Sequence, residues 1–157
     1  MSREINISGS MTITKFGAHR ERLVDFPFTF SFRADMLGSK GPLPGAILVP
    51  LAGVDVSLSQ LTQPGWCGFH HQGLASGGDL GDDPSIYYVD IGVKDVLTGR
   101  FYPMLELQPG WKLPHYFSRN LLESYNQTGT GTGPANNTLH LISHIAPCNV
   151  YIGACEA

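Results

Sequence analysis

The chain has 157 residues, a formal net charge of −3, only 15% charged residues, and 19 glycines and 11 prolines. A chain of this size forms one domain, or one domain with an arm, and buries roughly 70% of its unfolded surface without needing metal or disulfide. Sparse charge with abundant turn formers excludes a helical bundle and favours many short strands, while the missing basic excess excludes nucleic acid as the expected partner.

No apolar run reaches the roughly 18 residues of a membrane span, so no membrane partner is expected. The opening Met1-Ser-Arg-Glu-Ile-Asn-Ile7 has no apolar stretch of the kind a secretory signal carries. Without export the three cysteines are expected to stay reduced. Cys148 and Cys155 stand seven apart and Cys67 stands alone, which matches neither Cys-x-x-Cys nor a zinc spacing, so all three are expected as small apolar residues.

In chain order, Ile5 and Ile7, then Met11, Ile13 and Phe16, are short apolar beats on either side of a turn-like Ser8-Gly9-Ser10. Phe26, Phe28, Phe30 and Phe32 alternate strictly with Pro27, Thr29 and Ser31, a period of two that places all four rings on one strand face. Two homes are open to those rings: the chain's own core, the default for aromatics, or a neighbouring subunit. Residues 38–45, with Pro42 and Pro44, read as a hinge between an N-terminal arm (1–44) and the body (45–157). Lying before that hinge in a chain with few charges, the four rings are expected to serve contacts between subunits.

Residues 46–51 and 54–58 are the next strands. Gln63-Pro64-Gly65-Trp66 then recurs as Gln108-Pro109-Gly110-Trp111, each time after a leucine. Proline fixes the second position of a type II turn and glycine supplies the positive φ of the third, so two similar corners are expected, each followed by a strand that opens on a buried Trp. Residues 86–93 have the strongest strand composition. Residues 101–107 alternate apolar and polar, and Pro103 places that strand at an edge or a bulge. Residues 138–145 and 149–154 complete the strands, and only 119–125 has helical character. Glycine-rich loops at 73–84 and 127–134 are expected to project from the body. The fold class expected is all-β, a β-sandwich of jelly-roll type with an extended N-terminal arm.

Candidate chemistry is sparse. The 127–134 loop lacks the Gly-Lys-Ser/Thr of a phosphate cradle. His70 and His71 point to opposite faces if they lie in a strand, and His140 and His144 lie about 13 Å apart along one, so neither pair chelates an ion. Asp79, Asp82 and Asp83 lack the spacing of a calcium loop and read as a solvated acidic loop. Ser118, Ser124 and Ser143 have no nucleophile elbow. The chain is therefore expected to be no enzyme and to hold no cofactor.

Three segments carry a resemblance. They are Ser57-Leu-Ser-Gln-Leu-Thr-Gln-Pro-Gly-Trp66, Tyr88-Val-Asp-Ile-Gly-Val93, and Thr98-Gly-Arg-Phe-Tyr-Pro-Met-Leu-Glu-Leu-Gln-Pro-Gly110, preceded by the opening Ile7-Ser-Gly-Ser-Met-Thr-Ile-Thr-Lys15. Together they resemble a family of small virion structural proteins of tailed bacteriophages. The sequence departs from that pattern at His70-His71 and in the 73–84 loop. The resemblance implies a capsid decoration (cement) protein located in the virion, with the major capsid protein and its own copies, as a homotrimer, for partners. A neck, tail or fibre component and a host-surface or glycan-binding module are the alternatives.

Overall fold

The computed structural model describes residues 4–16, 22–35, 43–61, 64–81, 83–117 and 137–156; for most of 4–35 it describes the backbone alone. The expected helical stretch at 119–125, the loop at 127–134 and most of the hinge at 38–45 lie outside the described residues. The chain divides into two compact units, Met1–Met36 and Leu37–Ala157.

The first unit is a ribbon of two antiparallel strands, β1 (Glu4–Phe16) and β2 (Arg22–Asp35). Residues paired across two strands share a face, and the face alternates along each strand. The register therefore gathers Ile5/Ala34, Ile7/Phe32, Gly9/Phe30, Met11/Phe28 and Ile13/Phe26 on one face. The other face receives Asn6/Arg33, Ser8/Ser31, Ser10/Thr29, Thr12/Pro27 and Thr14/Asp25. Ser8, Ser10, Thr29 and Ser31 are exposed. The turn expected at Ser8-Gly9-Ser10 does not form. Those serines are alternate positions of one continuous strand, and their polarity marks its outer face. Phe26, Phe28, Phe30 and Phe32 share a face as expected, although their side chains lie outside the described residues.

Among the described residues the second unit has eight strands: β3 (Leu43–Val49), β4 (Val54–Val56), β5 (Pro64–Leu74), β6 (Val89–Asp95), β7 (Phe101–Leu107), β8 (Lys112–Tyr116), β9 (Asn137–Ser143) and β10 (Cys148–Glu156). Sheet I has the order β3-β10-β5-β8 and sheet II the order β4-β9-β6-β7, with every recorded pairing antiparallel. The partners nest: β6 with β7, β5 with β8, β4 with β9, β3 with β10. A long antiparallel ribbon doubled at the β6–β7 hairpin and wound on itself has this order. Leu43 and Pro44 pair with Ala154 and Gly153, so the body begins ahead of residue 45.

The two sheets face each other across one core. Sheet I contributes Val49, Cys67, Phe69, Val150 and Ile152, and sheet II contributes Val56, Val89, Ile91, Leu139 and Leu141. Each such aliphatic or aromatic side chain contributes about 1.5–3 kcal/mol on burial. The Ser143 hydroxyl donates to the Val49 carbonyl at 2.9 Å, joining the sheets where neither ladder can.

Prolines mark the edges. Pro103 lies in β7 and Pro114 in β8, each the outermost strand of its sheet, where a missing N–H leaves no ladder bond unmade. Opposite Pro103 the register slips between Ile91 and Gly92, so the residue expected at an edge or a bulge sits at both.

The two Pro-Gly corners have different fates. At the second, Gly110 has φ +79° and the Trp111 N–H donates to the Gln108 carbonyl at 3.0 Å, the bond and the positive φ of a type II turn. This turn carries the chain from sheet II to sheet I. The first is no corner: Pro64 and Gly65 open β5, Gly65 is not among the positive-φ glycines, and its carbonyl accepts the Phe117 N–H. The turn falls earlier, closed by the Leu61 N–H on the Leu58 carbonyl at 2.9 Å, because burying both leucines outweighs the local Pro-Gly preference. The strand expected at 86–93 also begins late. Pro84–Tyr87 forms a 3₁₀ turn whose start is capped by the Asp83 carboxylate accepting the Ser85 N–H, with proline in the first turn.

Candidate interaction surface

Alternation along each strand divides sheet I into a face turned to the core and a face turned outward. In β5 the inward set is Cys67, Phe69 and His71, and the outward set is Trp66, Gly68, His70 and Gln72. His70 and His71 therefore lie on opposite faces, as the period of two requires. Four positions far apart in sequence align in one row across the sheet: Pro44, Gly153, Gly68 and Pro114. None carries a bulky side chain, and Gly153, Gly68 and Pro114 of this row line a trough of about 390 Å³. Tyr151, His70 and Lys112, in the adjacent row, line it as well; in register on the other side of the row lie Trp66 and Tyr116, whose rings meet at 5.0 Å. Tyr151 (43%), Tyr116 (39%) and, beyond the adjacent row, Leu48 (55%) are well exposed. Lys112 is the one charged side chain among the described residues of this face. Single exposed apolar residues are ordinary, but a contiguous patch on a sheet marks a contact surface.

The outward face of sheet II is of opposite character. Asp55 of β4 receives both the Lys94 ammonium, at 2.8 and 3.0 Å, and His140 Nδ1. Burial pushes the Asp55 carboxyl up, but the bonds and charges of Lys94 and His140 outweigh it and hold it below its ordinary value. His140 is pushed the other way by burial, so it is neutral and donates its Nδ1–H to the carboxylate. Its ring meets Phe101 edge-on at 5.1 Å and lies against Gly53, where any Cβ would overlap it. The cluster pins β4, three residues long, to β9 and β6. Nearby, His144 bonds Asp90 at 3.0 Å and stacks on Tyr88 at 4.2 Å. His140 and His144 thus each have a separate carboxylate partner.

The remaining sequence candidates are placed as follows. His71 is fully buried; its Nδ1 accepts the Gly73 N–H at 3.0 Å, so Nε2 carries the proton and donates it to the Tyr87 carbonyl at 2.8 Å. Asp79 and Asp83 accept backbone N–H groups of their own loop, from Gly81 and Ser85, and Asp82 lies outside the described residues. Among the described residues no group of three His, Cys, Asp or Glu side chains could hold a metal ion. Burial, with Cys155 nearby, pushes the Cys67 thiol up to about 12, and burial raises Cys148 and Cys155 as well. Ser143 is spent on the inter-sheet bond, and Ser118 and Ser124 lie outside the described residues. Of the two tryptophans expected to be buried, Trp66 is half-buried on the outward face of sheet I, but Trp111 is 52% exposed. The turn that precedes Trp111 uses its backbone, whose carbonyl accepts the His71 N–H, and leaves the indole at the end of the sheet.

Three histidines make the fold acid-sensitive. His71, His115 and His140 are all held below 6.5, in each case first by burial. The unfolded chain therefore takes up these protons before the folded chain does. Their contribution is fully present above about pH 6.5 and is lost as pH falls below it. Asp55 has its own lower window, below 3.8. Melting followed by circular dichroism should show a temperature that is flat near pH 7.5 and falls steadily toward pH 5. A melting temperature that holds or rises over that range contradicts the assignment of buried neutral histidines.

Among the described residues no helix is long and apolar enough to cross a membrane. No family model, curated protein or solved structure matches the chain.

Proposed function

We propose that the chain is a structural protein of a tailed-phage virion that binds the capsid and reinforces it as a decoration protein. The observation that carries this reading is the outward face of sheet I: exposed Tyr151, Tyr116 and Leu48 and half-buried Trp66 around a Gly/Pro row, with one charge among the described residues. A protein that works by adhesion needs such a face. The opposite sheet carries the Asp55–Lys94–His140 and Asp90–His144 pairs and suits solvent. The nested strand order supports the same reading, since eight strands wound as two Greek keys form the jelly roll, a design found in viral capsid domains as well as lectins and cupins. The sequence resemblance points the same way.

A sugar-binding module is the lectin-like rival. Sugars are held by converging hydrogen-bond groups around an apolar platform. The Gly/Pro row has only ladder-engaged backbone, and the polar groups of the trough, Tyr151, His70 and Lys112, stand in the one row beside it, which favours a dry protein contact.

Gly68 allows a direct test. A Cβ at this position meets only the Gly153 carbonyl, at 4.0 Å, and its φ is not positive, so the sheet accepts a side chain there. Gly68→Glu should leave melting unchanged while placing an unpaired charge in the middle of the contact. Co-sedimentation with capsids lacking the protein should show at least a tenfold loss of binding. Wild-type binding by this variant would remove the sheet I face from the reading. Failure of the unaltered chain to bind capsids, with retention on host cells or glycans, would replace the reading altogether.

A further inference from the structure

We propose that His71 is a proton-operated clasp: its neutral ring ties the 3₁₀ turn Pro84–Tyr87 to β5, and protonation frees that turn while the two sheets stay packed. The ring is fully buried on the inward face of β5, and both its nitrogens are committed. Nδ1 accepts the Gly73 N–H at 3.0 Å, and Nε2–H donates to the Tyr87 carbonyl at 2.8 Å. One partner is a donor and the other an acceptor, so only the neutral ring satisfies both. A proton on Nδ1 would aim a donor at the Gly73 N–H and leave an unpaired charge in the interior.

The local sequence shows why so much hangs on this ring. Between β5 and β10 the register slips, so that Gln72 lies between the pairs His71/Val150 and Gly73/Asn149, and Gly73 takes φ +104°. At this bulge the ring takes the N–H of the residue two places on. Beyond it the chain leaves the sandwich. Of the described residues from 75 to 86 all but Leu80 are exposed, and the 3₁₀ turn holds no buried residue. The stretch is tied to the body at its start by the Ala75 N–H on the Pro147 carbonyl, at 2.9 Å. At its far end the Tyr87 carbonyl has the His71 bond and a weak thiol contact from Cys148 at 3.8 Å. The next carbonyl, Tyr88, accepts the His144 N–H at 3.1 Å. A segment with so little buried surface opens at low cost, so loss of one buried bond shifts it toward the open form.

The groups around the ring give the direction of the response. His70, on the outer face of β5 and paired in register with Lys112 of β8, opposes a positive charge on His71. Asp83 is engaged with Ser85, and Asp90 with His144, whose ring stacks on Tyr88. Among the described residues no carboxylate bonds the His71 ring to hold a proton there. The open form, with the ring in water, therefore takes up the proton first. Closure is fully favoured above about pH 6.5 and weakens as pH falls, by at most about tenfold per pH unit for one proton.

The inference does not rest on the capsid reading, and its test uses the purified full chain without particles. Amide exchange is followed by NMR from pH 7.5 to 5.5 and corrected for its intrinsic pH dependence. The Gly73 and His144 amides should lose protection by about threefold to tenfold, while Ile91 and Leu141, in the middle of sheet II, keep theirs. His71→Gln, whose amide offers a donor and an acceptor but takes no proton, should flatten the profile. His144→Gln should keep the rise at Gly73. A flat wild-type profile overturns the proposal, and so does an equal loss at Ile91 and Leu141, because the whole fold then opens at once. A rise at Gly73 without one at His144 means that the turn stays in place, and a rise that persists in His71→Gln assigns the proton to another group; either contradicts the clasp. If His71→Gln does not fold, the ring nitrogen shifts of the wild type decide: a protonated His71 beside a protected Gly73 amide overturns the proposal.

Discussion

Phe117→Ala should cost about 3–5 kcal/mol, the range for emptying a fully buried aromatic site. Phe117 follows β8 and is 0% exposed. Its ring meets Phe69 of β5 edge-on at 6.4 Å and His115 at 4.6 Å, and its N–H donates to the Gly65 carbonyl at 2.9 Å. Removing the ring leaves Phe69 and His115 facing a void in a region whose backbone is fixed by ladder bonds, so little collapse can fill it. Phe117→Leu should recover roughly half of the loss. Urea unfolding with an unchanged slope and a lowered midpoint measures this directly. A Phe117→Ala chain with the wild-type midpoint would mean that the core is not closed at this end of sheet I.

Gly92→Ala should be nearly as damaging, for the opposite reason. A Cβ at Gly92 overlaps the Tyr102 carbonyl oxygen and comes within 2.8 Å of Pro103 Cα and 2.9 Å of Phe101 Cε2. Two of these are backbone atoms of the adjacent strand, held there by the bulge, and they cannot move aside as a side-chain tip would. Gly92 does not need its glycine for a positive φ; it needs the absence of a side chain so that β7 can approach. A single methyl group should cost about 3 kcal/mol, the upper end of ordinary overpacking, and lower the melting temperature by roughly 6–12 °C. Gly68→Ala, with open space above it, is the matched control and should change melting by about 1 °C or less. Equal melting of the two variants would contradict the close β6–β7 approach.

These two sites show what could be read in the chain and what could not. The strand at residues 101–107, its edge position and its bulge follow from Pro103 and simple alternation, because those constraints are local. The opposite faces of His70 and His71 follow from the period of two. The two Pro-Gly-Trp segments are identical in sequence and differ in structure, because burial of Leu58 and Leu61 decides where the first turn falls. Asp83-Pro84 carries a visible capping signal that shortens the strand after it, and composition alone hides it. The trough is the least legible feature. Pro44, Gly68, Pro114 and Gly153 form one row only once three cross-strand registers are known, and no spacing in the sequence announces them. The Asp55–His140–Lys94 cluster is likewise invisible until β4, β9 and β6 are paired.

The central claim, that this is a shell-reinforcing protein, is tested most directly by its copy number in purified particles, read from a quantitative gel against the major capsid protein. A protein that reinforces the shell repeats with the shell, and the account predicts hundreds of copies per particle, in simple proportion to the capsid subunits. A dozen copies or fewer would place the chain at the neck or tail, and absence from the particle would contradict the account.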